Sequence, residues 1–355
     1  MRKSPFLTLI LIILIACTNE PGVNKTINSS QMHQNIDSTD MTNNFYDNTE
    51  TCSLTVKELT IDGEIANPGK ADFTGLQKRS VIVKETLLDS IGNNRFTGAF
   101  RYDGYSLFDI LEKRIIKKTN AEEYNSIIDL YVEVENVEGT KIVISWVEIY
   151  YPNNLHRIII ATDVSRIVPS RTNDLWELPE KSKLVAASDL ITERNIPDPV
   201  RITVKSFPKS FKMNRGMTPM YSPEIKLFMD GKLVGEVASV PEAIKDETFS
   251  TIFYGRGRGI HSTIPFTGPM LKDMLLKYYP LTRENIKSGI ICIAGVDGYR
   301  CALSYSELFN RNDQQEFLLI KSNPGEDGGL FRMFAACDFF SDRAVKSINE
   351  IHLGF

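Results

Sequence analysis

Four segments of this 355-residue chain occur twice, in the same order, in its two halves. The pairs are LTIDGEI (59–65) with LFMDGKL (227–233), DGYSLFDILEK (103–113) with TGPMLKDMLLK (267–277), VEGTKIVISWVEI (137–149) with VDGYRCALSYSEL (296–308), and AASDLITER (186–194) with AACDFFSDR (335–343). The offset between partners shortens steadily along the chain, as differences in loop length would produce. The sequence therefore predicts two homologous domains of ordinary size, 51–210 and 211–355, joined through Ser206–Pro223.

Turn and strand signals recur with these segments. Asp62-Gly63 and Asp230-Gly231 lie between apolar residues, a pattern typical of hairpin turns. Glu138-Gly139 and Asp297-Gly298 predict a further turn in each half. These turns join predicted strands Leu130–Val137 to Lys141–Val147 and Gly289–Val296 to Arg300–Tyr305. The apolar runs RIIIATD (157–163) and FLLIKS (317–322) predict buried strands.

A short helix is predicted at the same place in each half. In the first half it follows Ser106 and turns Leu107, Ile110 and Leu111 to one face. In the second half Pro269 lies near the first turn, and the inward residues are Met270, Leu271, Met274 and Leu275. Because strand signals outnumber helix signals, we expect an α+β fold of mixed, mostly antiparallel sheets with short helices.

The N-terminus resembles that of a bacterial lipoprotein. Arg2 and Lys3 precede an apolar run, Phe6–Ile15, that is too short to span a bilayer as a stable helix. The run ends in Leu-Ile-Ala-Cys, which predicts a signal peptide over residues 1–16 and lipidation of Cys17. An uncleaved anchor and a secreted protein with a chance cysteine are the alternatives.

Residues 17–50 then predict a flexible tether, because Asn, Ser, Thr, Asp and Gln dominate them and few side chains are large and apolar. A lipid on Cys17 would hold the protein on a membrane of the cell envelope without spanning it. Thr18, rather than aspartate, follows the cysteine and favours the outer membrane.

Charge and cysteine spacing exclude several classes of partner. The net charge of -4 provides no basic field for nucleic acid. The cysteines after Cys17 form no C-x-x-C pair, which argues against a structural zinc site; they are Cys52, Cys292, Cys301 and Cys337. Cys292 and Cys301 would lie diagonally across a hairpin, a poor geometry for a disulfide, so buried free thiols are expected.

The ordered set of motifs resembles the molybdopterin-binding domain of the sulfite oxidase superfamily. The motifs are an opening Ile-Asp-Gly strand, a central helix in DGYSLFDILEK or TGPMLKDMLLK, an Asp-Gly-Tyr hairpin and a closing Asp-Arg before the last strand. The resemblance covers nearly all of each half, and the second half, with NPGEDGGLFRM (323–333), is closer. It implies that the family's fold occurs twice and that molybdopterin is the cofactor to test for.

That family holds molybdenum through the pterin dithiolene and one cysteine thiolate, a soft ligand that suits the metal. The thiolate lies in the loop before the central helix, which corresponds here to Lys84–Gly104 and Phe249–Gly268. Neither loop contains cysteine. The nearest chemical substitutes are Ser90 in the first loop and His261 or Ser262 in the second, and both are poorer matches to the metal.

The second loop contains FYGRGRGIHSTIPFTG (253–268), whose glycines form neither a dinucleotide fingerprint nor a Walker loop. Arginine and histidine among glycines nevertheless favour an anion, and in the resembled family this region contacts the pterin phosphate. Together with residues of the Asp-Gly-Tyr hairpin, the candidate anion or pterin site comprises Arg256, Arg258, His261, Tyr299 and Arg300. A flexible, solvated basic loop is the alternative.

Acidic and basic residues that match between the halves indicate a role in the shared fold. The pairs are Asp189 with Arg194 and Asp338 with Arg343, and Glu148 and Glu307 also match. We assign no metal role to His33, His156 or His352, because no further ligands cluster with them in the sequence. No catalytic residues are predicted, since no nucleophile motif is present.

These observations predict an exported lipoprotein with two degenerate molybdopterin-binding-like domains. The favoured function is that of a non-catalytic ligand-binding or scaffold protein of the cell envelope, without a bound metal. Its partners would be the membrane, through Cys17, and a small anionic ligand or an envelope protein. The alternatives are a molybdopterin-dependent oxidoreductase that lacks the usual cysteine, and a protein in which only the second half is functional.

Overall fold

Strands predominate over helices, with 43% of residues in strands and 10% in helices. The computed structural model describes residues 50–168, 172, 174–314, 316–321 and 329–354, which all belong to one compact unit. Cys17, His33, the signal peptide and the predicted tether up to residue 49 lie outside these residues. The expected α+β class with mixed and antiparallel sheets is confirmed at this level.

The first half contains ten strands and two helices in the described residues. They are β1 (Cys52–Ser53), β2 (Thr60–Gly63), β3 (Gly69–Lys70), β4 (Arg79–Leu88), β5 (Asn94–Ser106), α1 (Leu107–Leu111), β6 (Leu130–Asn136), β7 (Lys141–Ser145), α2 (Trp146–Tyr150), β8 (Ile158–Arg166), β9 (Lys183–Ala186) and β10 (Pro199–Ser206).

The second half contains shorter elements in a related order. They are β11 (Ile225–Met229), β12 (Lys232–Val237), β13 (Asp246–Phe249), β14 (Phe253–Gly255), β15 (Gly259–Ser262), β16 (Phe266–Pro269), α3 (Leu271–Leu275), α4 (Arg283–Ser288), β17 (Ile290–Gly295), β18 (Arg300–Ser304), α5 (Tyr305–Phe309), β19 (Phe317–Lys321), β20 (Phe331–Ala335), a 3-10 helix (Ser341–Arg343) and β21 (Ile348–Gly354).

Each half has a central five-stranded mixed sheet with the same topology. The order is β3-β2-β10-β6-β7 in the first half and β12-β11-β21-β17-β18 in the second. In both sheets the second and third strands pair parallel and the remaining pairs are antiparallel. The halves are therefore repeats in strand order and direction, and we call them the first and second repeat. The boundaries 51–210 and 211–355 stay a prediction.

The second layer differs between the repeats. In the first repeat it is an antiparallel sheet ordered β1-β8-β5-β4, with β9 also paired to β8. In the second repeat the counterpart consists of three two-stranded pieces, β13 with β16, β14 with β15, and β19 with β20. One bridge, Met270 to Leu318, stands where the first repeat pairs Ser106 with Ile159. The second repeat thus keeps the connection but loses the continuous sheet.

The predicted central helices are confirmed as α1 and α3, which bury Leu107, Ile110 and Leu111, and Leu271, Met274 and Leu275. The predicted strands Lys141–Val147 and Arg300–Tyr305 extend too far, because α2 begins at Trp146 and α5 at Tyr305. The side chains of Ser145 and Ser304 accept hydrogen bonds from the N–H groups of Glu148 and Glu307 and so cap these helices.

The two Asp-Gly pairs of the opening segments behave differently. Asp230 and Gly231 form the tight turn between β11 and β12, both with positive φ, as predicted. Asp62 and Gly63 do not form a hairpin turn, since both lie in β2 and pair parallel with β10. The connection to β3 runs through the following loop. The strand registers make Asp62 equivalent to Phe228 rather than to Asp230, so the predicted pairing of 59–65 with 227–233 is shifted by two residues and the two Asp-Gly pairs are not equivalent positions.

The repeats pack against each other along β7 and β18 and through the segment before β6. The N–H of Ala302 donates to the carbonyl of Ile128 at 2.8 Å, and the hydroxyl of Tyr124 donates to the carbonyl of Arg300 at 2.5 Å. A cluster of side chains from both repeats and from the segment Ser206–Pro223, here called the linker, fills the junction: Tyr131, Val143, Phe207, Ile290, Cys292 and Ala302.

No helix of the described residues is long and apolar enough to cross a bilayer. The cysteines in this part of the chain are free, and Cys292, Cys301 and Cys337 are buried while Cys52 is half-buried. Cys292 pairs in register with Ala302, and Cys301 with Ile293, so the two thiols are not directly opposed.

Candidate functional site

Each repeat contains a buried arginine held by two carboxylates. In the first arginine cluster, Arg194 makes a bidentate pair with Asp189 at 2.8 and 2.6 Å and binds Glu148 at 3.0 and 2.5 Å. In the second, Arg343 pairs with Asp338 at 2.7 and 2.5 Å and with Glu307 at 2.6 Å. Both guanidinium groups are fully buried.

The arginine clusters are joined across the repeat junction by serine hydroxyls. Ser304 donates to Glu148 at 2.9 Å, and Ser145 donates to Glu307 at 2.7 Å. Each serine thus caps a helix in its own repeat and contacts the cluster of the other. Burial raises the pKa of Asp189 to about 6, although Arg194 opposes this. The two arginine clusters fix the arrangement of the junction, and none of their groups faces solvent. Their role is therefore structural.

The basic loop of the second repeat forms an exposed hairpin, β14–β15. Tyr254 lies directly opposite Ile260 in this hairpin, and the Tyr254 ring contacts Phe339 and Phe340 edge to face or tilted at about 6 Å. Exposed apolar side chains flank the turn that carries Arg256 and Arg258. We call this the hairpin surface, and its members are Ile252, Tyr254, Arg256, Arg258, Ile260, Ile264 and Phe339.

Two of the predicted anion-binding residues meet at Asp342. The Nε of Arg256 lies 3.2 Å from the Asp342 carboxylate, and the hydroxyl of Tyr299 donates to the Asp342 carbonyl at 2.5 Å. Burial raises the pKa of Asp342, and the positive charge of Arg256 opposes this increase. Arg258 is exposed and has no ion pair with any residue that the structure describes, and the exposed His261 ring packs on Phe253 at 5.2 Å.

Arg300 is separated from this group. Its guanidinium is fully buried over the ring of Tyr124, 4.3 Å from the ring centroid, and 5.1 Å from that of Phe211. It lies 3.0 Å from the Glu123 carboxylate and 3.6 Å from that of Asp129. Because carboxylates already face it, Arg300 holds the junction together and is not available to an external anion.

The residues present do not fit a thiolate-bound molybdenum centre. The segment Lys84–Gly104 folds as the β4–β5 hairpin, with Ser90 exposed at its tip, and Ser262 ends β15. Burial raises the pKa of Cys301 to about 12, and it also raises those of Cys292 and Cys337, so these thiols stay protonated. The described residues contain no group of three or more His, Cys, Asp or Glu able to hold a metal ion.

Sequence reasoning missed a cavity under the linker. It has a volume of about 420 Å³, and we call it the linker cavity. Its walls are Tyr131, Phe207, Pro208, Lys209, Asp230, Gly231, Ile290, His352, Leu353 and Gly354. The signal that could have pointed to it is Phe207 followed by Pro208 and Lys209 at the start of the linker, an aromatic residue directly after a strand.

The two remaining histidines of the described chain are placed differently from each other. His156 lies in the turn between α2 and β8, 3.8 Å from the Asp109 carboxylate. His352 lies in β21 and is almost fully buried. No sequence pattern groups His352 with Lys209 and Asp230, which are more than a hundred residues away.

Comparison of the sequence with models of known protein families gave no match, and no curated protein proved similar to it. The similarity to molybdopterin-binding domains therefore remains an expectation carried by the ordered motifs alone.

Proposed function

We propose that this chain is an exported, lipid-anchored binding protein of the cell envelope, built from two non-catalytic repeats that resemble molybdopterin-binding domains. The observation that carries the proposal is the hairpin surface, where exposed isoleucine and aromatic side chains lie on the hairpin that carries Arg256 and Arg258 and on the segments next to it. Contiguous exposed apolar side chains with tyrosine and arginine are typical of protein interfaces. The partner is an envelope protein that presents an acidic surface.

A protein partner is favoured over a small anion by the shape of the site. Arg256 and Arg258 project from the turn of a two-stranded hairpin, and Arg256 already pairs with Asp342. Neither residue lines the linker cavity. A small anion requires donors that converge on one point, whereas a flat acidic surface can engage two separate arginines and the apolar side chains beside them.

The absence of cysteine from the loops Lys84–Gly104 and Phe249–Gly268 supports the non-catalytic part of the proposal.

The predicted tether supports a search for a partner. A tether of residues 17–50 would let the folded part of the protein move roughly 30 Å from the lipid, as expected for a flexible chain of this length. Such reach suits a protein that searches for a partner within the envelope. It is not needed for chemistry on a soluble substrate.

Site-specific photo-crosslinking in the host envelope tests the partner. A photoreactive residue at Ile260 should give discrete adducts, whereas one at Ile115 should not, although the two isoleucines are 65% and 64% exposed. The adduct should disappear in the Arg256→Ala, Arg258→Ala double variant and persist in Arg201→Ala, since Arg201 is about as exposed as Arg256. The captured protein must then bind the purified chain with the same dependence on Arg256 and Arg258.

Equal adducts from Ile260 and Ile115, or adducts that persist without Arg256 and Arg258, would contradict the hairpin surface as the interface.

Metal analysis and pterin fluorescence of protein purified from its natural host test whether the repeats are non-catalytic. We expect neither molybdenum nor pterin. Molybdenum in stoichiometric amount would replace the proposal with a molybdopterin-dependent oxidoreductase.

A further inference from the structure

The linker cavity lies beside one face of the central sheet of the second repeat. The matching positions in the first repeat carry polar side chains. In the parallel pairing of β11 with β21, His352 is opposite Phe228, and the two rings stack at 4.5 Å with an interplanar angle of 6°. At the same register of the first repeat, Thr203 is opposite Asp62 and donates a 2.7 Å hydrogen bond to it. The second repeat has therefore exchanged a polar pair for an aromatic one beside a cavity.

The hydrogen bonding of His352 fixes which ring nitrogen is free. Its Nε2 lies 2.7 Å from the carboxylate of Glu350, which accepts, so the proton is on Nε2. Burial lowers the pKa of His352, an effect that Glu350 opposes, and the ring is neutral at pH 7. Nδ1 is then a hydrogen-bond acceptor, and no residue that the structure describes donates to it.

The charged and polar groups around the cavity can accept hydrogen bonds from a bound ligand. Lys209 is neutralised by Glu350 at 2.7 Å and packs over the rings of Phe211 and Phe228. Asp230, at the turn between β11 and β12, has no side-chain hydrogen bond or ion pair within the described residues. The polar groups of the wall without a side-chain partner among the described residues are the exposed carboxylate of Asp230 and Nδ1 of His352, which accept, and the phenol of Tyr131, which can accept as well as donate.

The remaining wall suits a flat, apolar ligand. Tyr131, Phe207 and Ile290 are among the apolar residues of the lining, and aromatic rings also attract cations over their faces. Burial raises the pKa of Tyr131 to about 12, so its phenol stays protonated. A volume of about 420 Å³ lies within the range of small-molecule sites.

We propose that the linker cavity binds a small primary alkyl amine that carries an aromatic ring, with the ring among Phe207, Tyr131 and His352 and the ammonium group donating to Asp230 and His352. This site is separate from the hairpin surface and does not depend on the protein partner. The first repeat offers no equivalent, because Asp62 and Thr203 satisfy each other there.

Calorimetric titration of the purified full chain with two matched probes tests this inference. 2-Phenylethylamine should bind with at least tenfold higher affinity than 3-phenylpropionate, which has the same ring and a similar length but carries a carboxylate. Asp230→Asn should weaken the amine at least tenfold, because asparagine keeps the positive-φ turn and removes the charge. His352→Phe, which keeps the stacking, should weaken it several-fold.

Thr203→Val, at the matching register of the first repeat, should leave the affinity unchanged. Far-UV circular dichroism shows whether each variant is folded. Preference for the carboxylate, no binding of either probe, or an affinity that Asp230→Asn leaves intact would each overturn the inference. None of these outcomes affects the crosslinking from Ile260 or the metal content, so the two proposals fail separately.

Discussion

The first and second repeats agree where the fold is built and differ where side chains reach solvent or space. Their central sheets have the same order, and each contains an arginine cluster with one aspartate and one glutamate. Features present twice are thus those that hold the two halves together. Features present once are the ones to examine for binding.

The second layer is the clearest difference. In the first repeat β4, β5 and β8 form a continuous sheet that buries Val81, Val83 and Phe100. In the second repeat the same region is divided into short pairs, and β14–β15 projects with Ile260 exposed. Loss of sheet continuity converts a covered layer into the hairpin surface.

The outer face of the central sheets differs in a second way. Glu133 faces Thr203 across β6 and β10, whereas Cys292 faces His352 across β17 and β21. In the first repeat Glu133 pairs with Lys141 and Lys205, whereas in the second repeat Phe207 and Phe211 of the linker contact His352. The linker cavity lies beside Phe207 and His352.

The largest effect is expected from the feature that the repeats share. Arg343→Met should lower the free energy of unfolding by about 3–5 kcal/mol, because it leaves Glu307 and Asp338 buried without a counter-charge. Arg194→Met should do the same through Glu148 and Asp189. Urea denaturation followed by circular dichroism measures both.

If the two clusters are structurally equivalent, these two losses agree within about 1 kcal/mol. Arg201→Met serves as control, since Arg201 is exposed and 3.7 Å from Asp62; it should cost less than about 0.5 kcal/mol. A loss confined to one cluster would mean that only one repeat needs its arginine.

A smaller effect tests whether the clusters act as one unit. Ser145→Ala and Ser304→Ala should each lower the free energy of unfolding by about 1–2 kcal/mol, through a lost helix cap and a lost hydrogen bond to a buried carboxylate. Because each serine contacts the other repeat's cluster, the double variant should depart from additivity by at least about 0.5 kcal/mol. Strict additivity would show two independent caps.

Much of this framework could be predicted from the sequence. The four paired segments predict the central helices, the strands and the Asp–Arg pairs of both repeats, because a local pattern that recurs in both halves seldom arises by chance. The helices α2 and α5 were missed although Ser145 and Ser304, each followed three residues later by glutamate, form the pattern of a capping box. An apolar run before a helix is easily continued as a strand.

What could not be predicted depends on contacts distant in sequence. Asp62-Gly63 carries a turn signal, but its pairing with β10 keeps it in a strand. Arg300 stands at the end of a turn in the sequence, yet Tyr124 and Glu123 of the first repeat bury it. The linker cavity combines residues from the linker, β6 and β21, which no local pattern connects.

Acid should affect the second repeat through His352. Above its ordinary pKa near 6.5, His352 is neutral in both folded and unfolded chains, and its burial costs no proton. As the pH falls through 6.5 toward the lower pKa of the folded state, only the unfolded chain gains the proton, so stability is lost. Wild-type protein should therefore lose more free energy of unfolding between pH 7 and 5.5 than His352→Phe.

The charged and titratable groups around His352 are Glu350 on its own strand, Lys209 of the linker, Cys292 on β17, and Tyr131 and Asp230 of the cavity. Burial opposes the shift, but hydrogen bonds from Lys209 and His352 lower the pKa of Glu350 below its ordinary value, so its carboxylate stays ionised between pH 7 and 5.5 and the difference between the two proteins reports the histidine. Urea titrations at half-unit pH steps measure it. Equal acid sensitivity of the two proteins would show that folding does not lower the pKa of His352.

The smallest effect is expected at the hairpin surface. Ile260→Ser should change the free energy of unfolding by less than about 0.5 kcal/mol, because the side chain is 65% exposed and removes little area from water. Val83→Ser, in the continuous layer of the first repeat, buries a hydroxyl in an apolar cluster and should cost roughly 2 kcal/mol or more. Thermal unfolding of both variants measures this contrast.

A large loss of unfolding free energy in Ile260→Ser would mean that the hairpin is part of the core and would remove the reason to expect a partner there. A negligible loss, together with weaker binding of the captured partner by Ile260→Ser, would separate binding from folding at this position and assign the divided layer of the second repeat to recognition.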